Sequence, residues 1–210
     1  MQDRTDQRGN GPDFNRRSFL KGSGVAVAAS AVATAVQEAA AKPEKDKGNS
    51  ETTTGKQKVT LVVNGEKKTL EIEPRVTLLD ALRNDLSLTG CKEVCTTANC
   101  GACTVMIDGK AVYACTRLAI AEQGKQITTV ESLSGKSDPV VEGFHKHDAT
   151  QCGYCTPGFV MATRAFIAEH PQATLEEIQK GLGGNICRCG TYANVTMCAV
   201  ELCKSAKGGG

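Results

Sequence analysis

From about residue 57 the apolar and polar positions alternate with a period near two, and beyond about residue 134 the period lengthens to 3.6. Residues 58–63 alternate as a strand, Asn64-Gly65 is a type I′ hairpin signal, and residues 67–73 return as a second strand. Thr77 is placed to cap a helix over residues 78–86, in which Leu78, Leu79, Leu82 and Leu86 share one face. Residues 104–107 and 111–114 predict another hairpin about Asp108-Gly109, and residues 126–130 a strand that closes the sheet. The second stretch predicts four short helices. Asp138-Pro139 opens the first, and Pro157 stands near the start of the second, which runs through Phe159, Val160, Phe166 and Ile167. Thr174 caps the third, with Glu176 and Glu177 in its first turn, and residues 192–204 form the fourth. The expected class is α+β, a sheet domain over residues 57–133 followed by a helical one over 134–206.

Upstream of this pattern the chain reads as a processing segment. Arg16-Arg17-Ser18-Phe19-Leu20-Lys21 is a twin-arginine signature, with Asn15 where Ser or Thr is commoner. The weakly apolar run over residues 22–36 is shorter than the ~20 residues that span a bilayer, so no stable membrane span is expected. Ala39-Ala40-Ala41 offers a cleavage site after Ala41, and residues 42–56 read as a flexible linker. Residues 1–41 therefore predict export to the periplasm by a route that carries proteins already folded, which suits a protein loaded with a fragile cofactor.

Charge narrows the partners. With 25 basic and 23 acidic residues, net +2, the chain has no excess to attract nucleic acid or an anionic membrane. Aromatic content of 4 % without Trp argues for two small units organised around something other than large side chains.

The eleven cysteines supply that something. An odd number tells against a fully paired disulfide framework. Cys95, Cys100 and Cys103 are spaced C-x4-C-x2-C and Cys115 follows, the spacing of a plant-type 2Fe–2S centre. A tight loop can wrap three thiolates round a small rhomb while a nearby strand delivers the fourth. Gly101 lets backbone amides approach the cluster without a Cβ in the way. Cys91 could also begin the motif, but only Cys95 keeps the x4 gap, and Cys91 reads as a small half-buried residue. Hairpin, helix and cysteine-rich loop follow one another as in a β-grasp ferredoxin. The helical stretch carries Cys152-x2-Cys155 and Cys187-x-Cys189. A C-x2-C pair at a helix start favours deprotonation of both thiols, whereas C-x-C does not match the pairs of ordinary zinc ribbons. Arg188, between the last two, would help to balance cluster charge.

Together, Cys95 to Cys115, Gln151-Cys152-Gly153-Tyr154-Cys155-Thr156-Pro157-Gly158 and Gly184-Asn185-Ile186-Cys187-Arg188-Cys189 resemble the small iron–sulfur subunit of the xanthine dehydrogenase and aldehyde oxidoreductase (molybdenum hydroxylase) family. The resemblance runs from about Lys58 to Lys204. It implies a β-grasp domain with one 2Fe–2S cluster and a four-helix bundle with the other. It also implies a large subunit carrying molybdopterin, with Gln151 and Cys189 closest to the pterin, and a flavin (FAD) subunit as the usual acceptor; export, which leaves little access to NAD, favours a respiratory acceptor such as a cytochrome or a quinone. The family commonly has glycine where this chain has Val94 and Ala98, and an acid at Thr96. The added Cβ atoms predict a shifted potential or altered docking with the cluster retained. Cys-Arg-Cys-Gly-Thr-Tyr in place of the commoner Cys-Arg-Cys-Thr-Gly-Tyr is the form resembling exported aldehyde oxidoreductases, in agreement with the leader.

His145 and His147 lack the interleaving of a Rieske site and read as exposed or capping residues, and Cys198 and Cys203 read as small core residues. No nucleophile–base pair, phosphate loop or G-x-G-x-x-G occurs, so the expectation is an enzyme subunit without substrate chemistry of its own. The competing classes are a free-standing two-cluster carrier and a secreted module stabilised by disulfides or zinc.

Overall fold

The computed structural model describes residues 54–207, so the leader and most of the linker lie outside the described residues. Strands β1 (Gln57–Val63) and β2 (Glu66–Ile72) pair antiparallel with Val63 opposite Glu66. Asn64 and Gly65 both hold positive φ, +53° and +85°, as a type I′ turn requires. Val59, Leu61 and Val63 on one face of β1 are buried, while β2, at the sheet edge, shows mostly charged side chains to solvent.

Thr77 caps the following helix as expected, its hydroxyl accepting from the Asp80 N–H at 3.1 Å. The helix itself is less regular than its leucine spacing suggests. One α-turn, α1 (Leu78–Asp80), widens at once into π-helical Ala81–Asp85, where the Leu86 N–H reaches back five residues to Ala81 O at 3.1 Å. The wider turn still buries Leu78, Leu79 and Leu82 and leaves Leu86 packed at the edge of the same cluster.

Strands β3 (Thr104–Ile107) and β4 (Lys110–Tyr113) form the second hairpin, with Asp108 and Gly109 again at positive φ. The last strand, β5 (Gln126–Thr128), lies parallel to β1 and antiparallel to β3, giving the order β2-β1-β5-β3-β4. It stops two residues earlier than expected because Val130–Leu133 coils into a 3-10 turn.

Four helices follow. The Asp138 carboxylate accepts from Val140 N (3.0 Å) and Val141 N (3.3 Å) to start α2 (Pro139–Lys146), and Arg164 pairs with its other oxygen. Helix α3 (Thr156–Glu169) is buried along much of its length. Thr174 and Glu177 form a reciprocal capping box on α4 (Leu175–Gly181), and α5 (Tyr192–Lys207) ends the described chain. Two apolar cores result, one under the sheet and one among the helices. Helix α3 belongs to both regions, since it packs against β3 and β4, and Met106, Met161 and Ala165 form a small cluster at the seam. Among the described residues no helix is long and apolar enough to cross a membrane.

Candidate functional site

The loop between Asp85 and β3 carries Cys95, Cys100 and Cys103, and the 3-10 turn Ala114–Thr116 after β4 brings in Cys115. Cys95 and Cys100 are half-exposed and their thiols interact, while Cys103 and Cys115 are buried and interact in turn. All four bear on the Tyr113 phenol, whose pKa is raised by burial and then by these thiols. The amides of Thr97 and Asn99 point at the Cys95 sulfur, at 3.5 and 3.4 Å, and draw its pKa down to about 6. Burial pushes the Cys103 thiol the other way, up to about 12. Thr96 and Ala98 bend this loop with φ of +56° and +60°, values that favour glycine.

Cys91 stands beside this set. It is 3 % exposed, its thiol donates to Cys103 O at 3.3 Å, and burial raises its pKa strongly. Cys198 and Cys203 are likewise buried in the helical core. His147 ends α2 and meets the Glu201 carboxylate at 2.7 Å, and His145 is exposed, so neither joins the cysteines.

At the second site Cys152 interacts with Cys189, and Cys155 with Cys187. Cys152, Cys189, Gln151 and Arg188 are exposed, whereas Cys187 is buried. Burial would raise the Cys187 thiol, but the Thr191 hydroxyl (3.1 Å) and amide (3.4 Å) bring its pKa down to about 7. The helix start does not set the C-x2-C pair as expected. The Tyr154 amide lowers the Cys152 thiol, whereas burial and then the Cys187 thiol push Cys155, at the cap of α3, up to about 12.

These two sets of four thiols fit 2Fe–2S clusters by donor chemistry. None of the eleven cysteines is bridged. Among the described residues no three Cys, His, Asp or Glu side chains converge closely enough for a single ion. A 2Fe–2S rhomb instead spreads its four thiolates over two irons.

Residues that sequence reasoning missed join the sites. Asn185, 5 % exposed, donates from Nδ2 to Gly101 O at 2.9 Å and to the Thr104 hydroxyl at 3.3 Å. The Ile186 N–H donates to Cys100 O at 2.9 Å, and the Tyr113 hydroxyl to Gly184 O at 2.8 Å. The structure adds a steric requirement at Gly101. A Cβ there would lie 2.6–2.8 Å from the Asn185 side-chain amide, and φ is +67°. The only sequence signal was that Asn185 stands beside the C-x-C pair.

Comparison with known proteins agrees with this geometry. Residues 61–130 match the family described as 2Fe-2S iron-sulfur cluster binding domain, and residues 129–200 the family described as [2Fe-2S] binding domain. The aldehyde oxidoreductase iron-sulfur-binding subunit PaoA of Escherichia coli (strain K12) is 42 % identical over 160 residues, 68 % of this chain and 69 % of its own. The chain belongs to the iron–sulfur subunits of the molybdenum hydroxylase family. Another relative of this iron–sulfur subunit is the nicotine 6-hydroxylase small subunit of Paenarthrobacter nicotinovorans, 44 % identical over 140 residues, covering 66 % of this chain and 85 % of that one. Among solved structures, quinoline 2-oxidoreductase from Pseudomonas putida 86 superposes with a TM-score of 0.69 at 34 % identity, over 74 % of this chain and 99 % of that one. This iron–sulfur subunit is an electron-transferring component of an oxidoreductase, with two 2Fe–2S binding domains. Residues 13–33 match the twin-arginine translocation pathway signal sequence, which directs export across a membrane.

Proposed function

We propose that Cys95, Cys100, Cys103 and Cys115 hold one 2Fe–2S cluster in a β-grasp domain over residues 57–133, and that Cys152, Cys155, Cys187 and Cys189 hold the other in a four-helix bundle over residues 134–206. A bound 2Fe–2S cluster accepts and releases one electron at a time. The chain's own residues ligate, orient and insulate. The Thr97 and Asn99 amides and the Thr191 hydroxyl stabilise thiolate charge at Cys95 and Cys187. Arg188, exposed between two ligands, adds positive charge beside the second set.

The observation that carries the reading is the hydrogen bond from the Ile186 N–H to the Cys100 carbonyl. Cys100 is a ligand of the first set, and Ile186 is bonded directly to Cys187 of the second. One hydrogen bond and a few backbone bonds therefore connect the two sets, as an electron relay needs.

The partner is a molybdopterin-binding large subunit, docked over the rim formed by Gln151, Cys152, Cys189 and the exposed Tyr154, Ile186 and Tyr192. Electrons leave from the half-exposed Cys95–Cys100 side to a flavin (FAD) subunit, a cytochrome or a quinone. The substrate of the assembled periplasmic enzyme is an aldehyde or an N-heterocycle, a reading supported by relatives named aldehyde oxidoreductase, nicotine 6-hydroxylase and quinoline 2-oxidoreductase. Two measurements test this. The chain should co-purify with a molybdenum-containing large subunit. Cys187→Ser should abolish one of two distinguishable EPR signals of the reduced protein, and persistence of both overturns the ligand assignment.

A further inference from the structure

The three residues before Cys187 are fastened to the sheet module by three hydrogen bonds in succession. Gly184 O accepts from the Tyr113 hydroxyl (2.8 Å), Asn185 Nδ2 donates to Gly101 O (2.9 Å), and Ile186 N donates to Cys100 O (2.9 Å). The first two depend on side chains, and a close-packed steric match accompanies each. A Cβ at Gly184 would stand 2.1 Å from the Tyr113 hydroxyl, with the next ring atom at 3.5 Å, and a Cβ at Gly101 would stand 2.6 Å from the Asn185 amide carbon. Gly101 O is also held from its own side by the Thr104 N–H (3.1 Å) and hydroxyl (2.6 Å). The carbonyl that receives Asn185 is therefore a rigid anchor.

Tyr113 lies two residues before Cys115, and Asn185 two residues before Cys187. Each fastening thus ties the immediate approach to a cysteine of one set to the backbone of the other module. We propose that Tyr113 and Asn185 are positioning residues that fix the separation of the two cluster sites through residues 184–186, and with it the magnetic and electronic contact between the clusters. The proposal rests on the ligand assignment above and adds to it the side chains that set the gap.

Gly184 permits a test that a merely structural role would not satisfy. Gly184→Ala puts a methyl group against the Tyr113 hydroxyl, so either the segment or the Tyr113 ring must move. Tyr113→Phe removes the hydroxyl that holds Gly184 O and adds no bulk, so it tests the first fastening by itself. The readout is the dipolar interaction between the two reduced clusters in the full-length protein, taken from low-temperature EPR splitting and power saturation, with iron content in parallel. Gly184→Ala should change the interaction at unchanged iron content, and Tyr113→Phe and Asn185→Ala should each weaken it. An interaction unchanged in Tyr113→Phe or in Asn185→Ala overturns the proposal. If Gly184→Ala does not fold, Tyr113→Phe and Asn185→Ala decide. A wild-type protein lacking two cluster signals would instead sink the ligand assignment, a distinguishable result.

Discussion

Gly158, in the second module, packs against the first cysteine loop, and replacing it with Ala sets two known effects against each other. In an ordinary helix Gly→Ala stabilises by about 1 kcal/mol, because the freer glycine backbone loses more entropy on folding. Here the new Cβ would stand 2.5 Å from Gly101 O and 3.2 Å from both the Cα and the O of Ala102. Ordinary contact begins near 3.4 Å, so the helix and the loop must separate by about 0.9 Å. Both sides of the contact are backbone, so no rotamer change can relieve it. Overpacking of this kind costs ~1–3 kcal/mol. The clash should sit at the upper end of that range, because Gly101 O is fixed by Thr104 and Asn185. The net expectation is a loss of about 1–2 kcal/mol, which for a folded part of this size lowers Tm by roughly 2–8 °C. Thermal unfolding followed by circular dichroism, alongside visible absorption of the clusters, measures it. A Tm equal to or above wild type would show that helix propensity wins and that the contact at the start of α3 is looser than described.

Three further outcomes follow from the same structure. Ala98→Gly should stabilise by about 1 kcal/mol in denaturant titration, since Ala98 holds φ +60° where glycine is unstrained. Glu122→Gln should cost roughly 1–2 kcal/mol, because the fully buried carboxylate binds Arg117 (2.7 Å) and Lys125 (2.9 Å), which are themselves part-exposed and regain water. Burial favours protonation of Glu122, but Lys125 and Arg117 outweigh it and lower the pKa, so its contribution is complete above the usual carboxylate value of 4.5 and is lost as pH falls below it. The stability gap between wild type and Glu122→Gln should therefore narrow as the pH is taken from about 6 to about 3. Cys91→Ser should retain both reduced-state EPR signals, in contrast to Cys187→Ser, because the buried Cys91 thiol is turned to Cys103 O.

The parts of this protein legible in its sequence are those whose physics is local. Asn64-Gly65 and Asp108-Gly109 announced their hairpins because the turn demands positive φ at both positions, and both pairs hold it. Thr77, Asp138 and Thr174 announced helix starts through a hydroxyl or carboxylate that the first-turn amides need. The cysteine spacings were legible because a small rhomb constrains how much chain can lie between its ligands. Tyr113, Gly158, Gly184 and Asn185 were not, since their contacts join residues dozens of positions apart and leave no period or turn signature. The balance at Cys155 was misjudged for the same reason. A helix start can be read from the chain, but the burial that overrides it belongs to the tertiary structure.

The parallel pairing of β1 with β5 has a consequence for the order of biosynthetic events. Val62 and Val63 meet Gln126 and Ile127 only after all the intervening residues, including the four cysteines from Cys95 to Cys115, have left the ribosome. Such distant pairing is slow to form, so the nascent sheet stays open while those cysteines have already emerged. The topology thus makes the middle strand the last piece of the sheet to be synthesised, and the sheet is completed only after every residue of the first cysteine set exists.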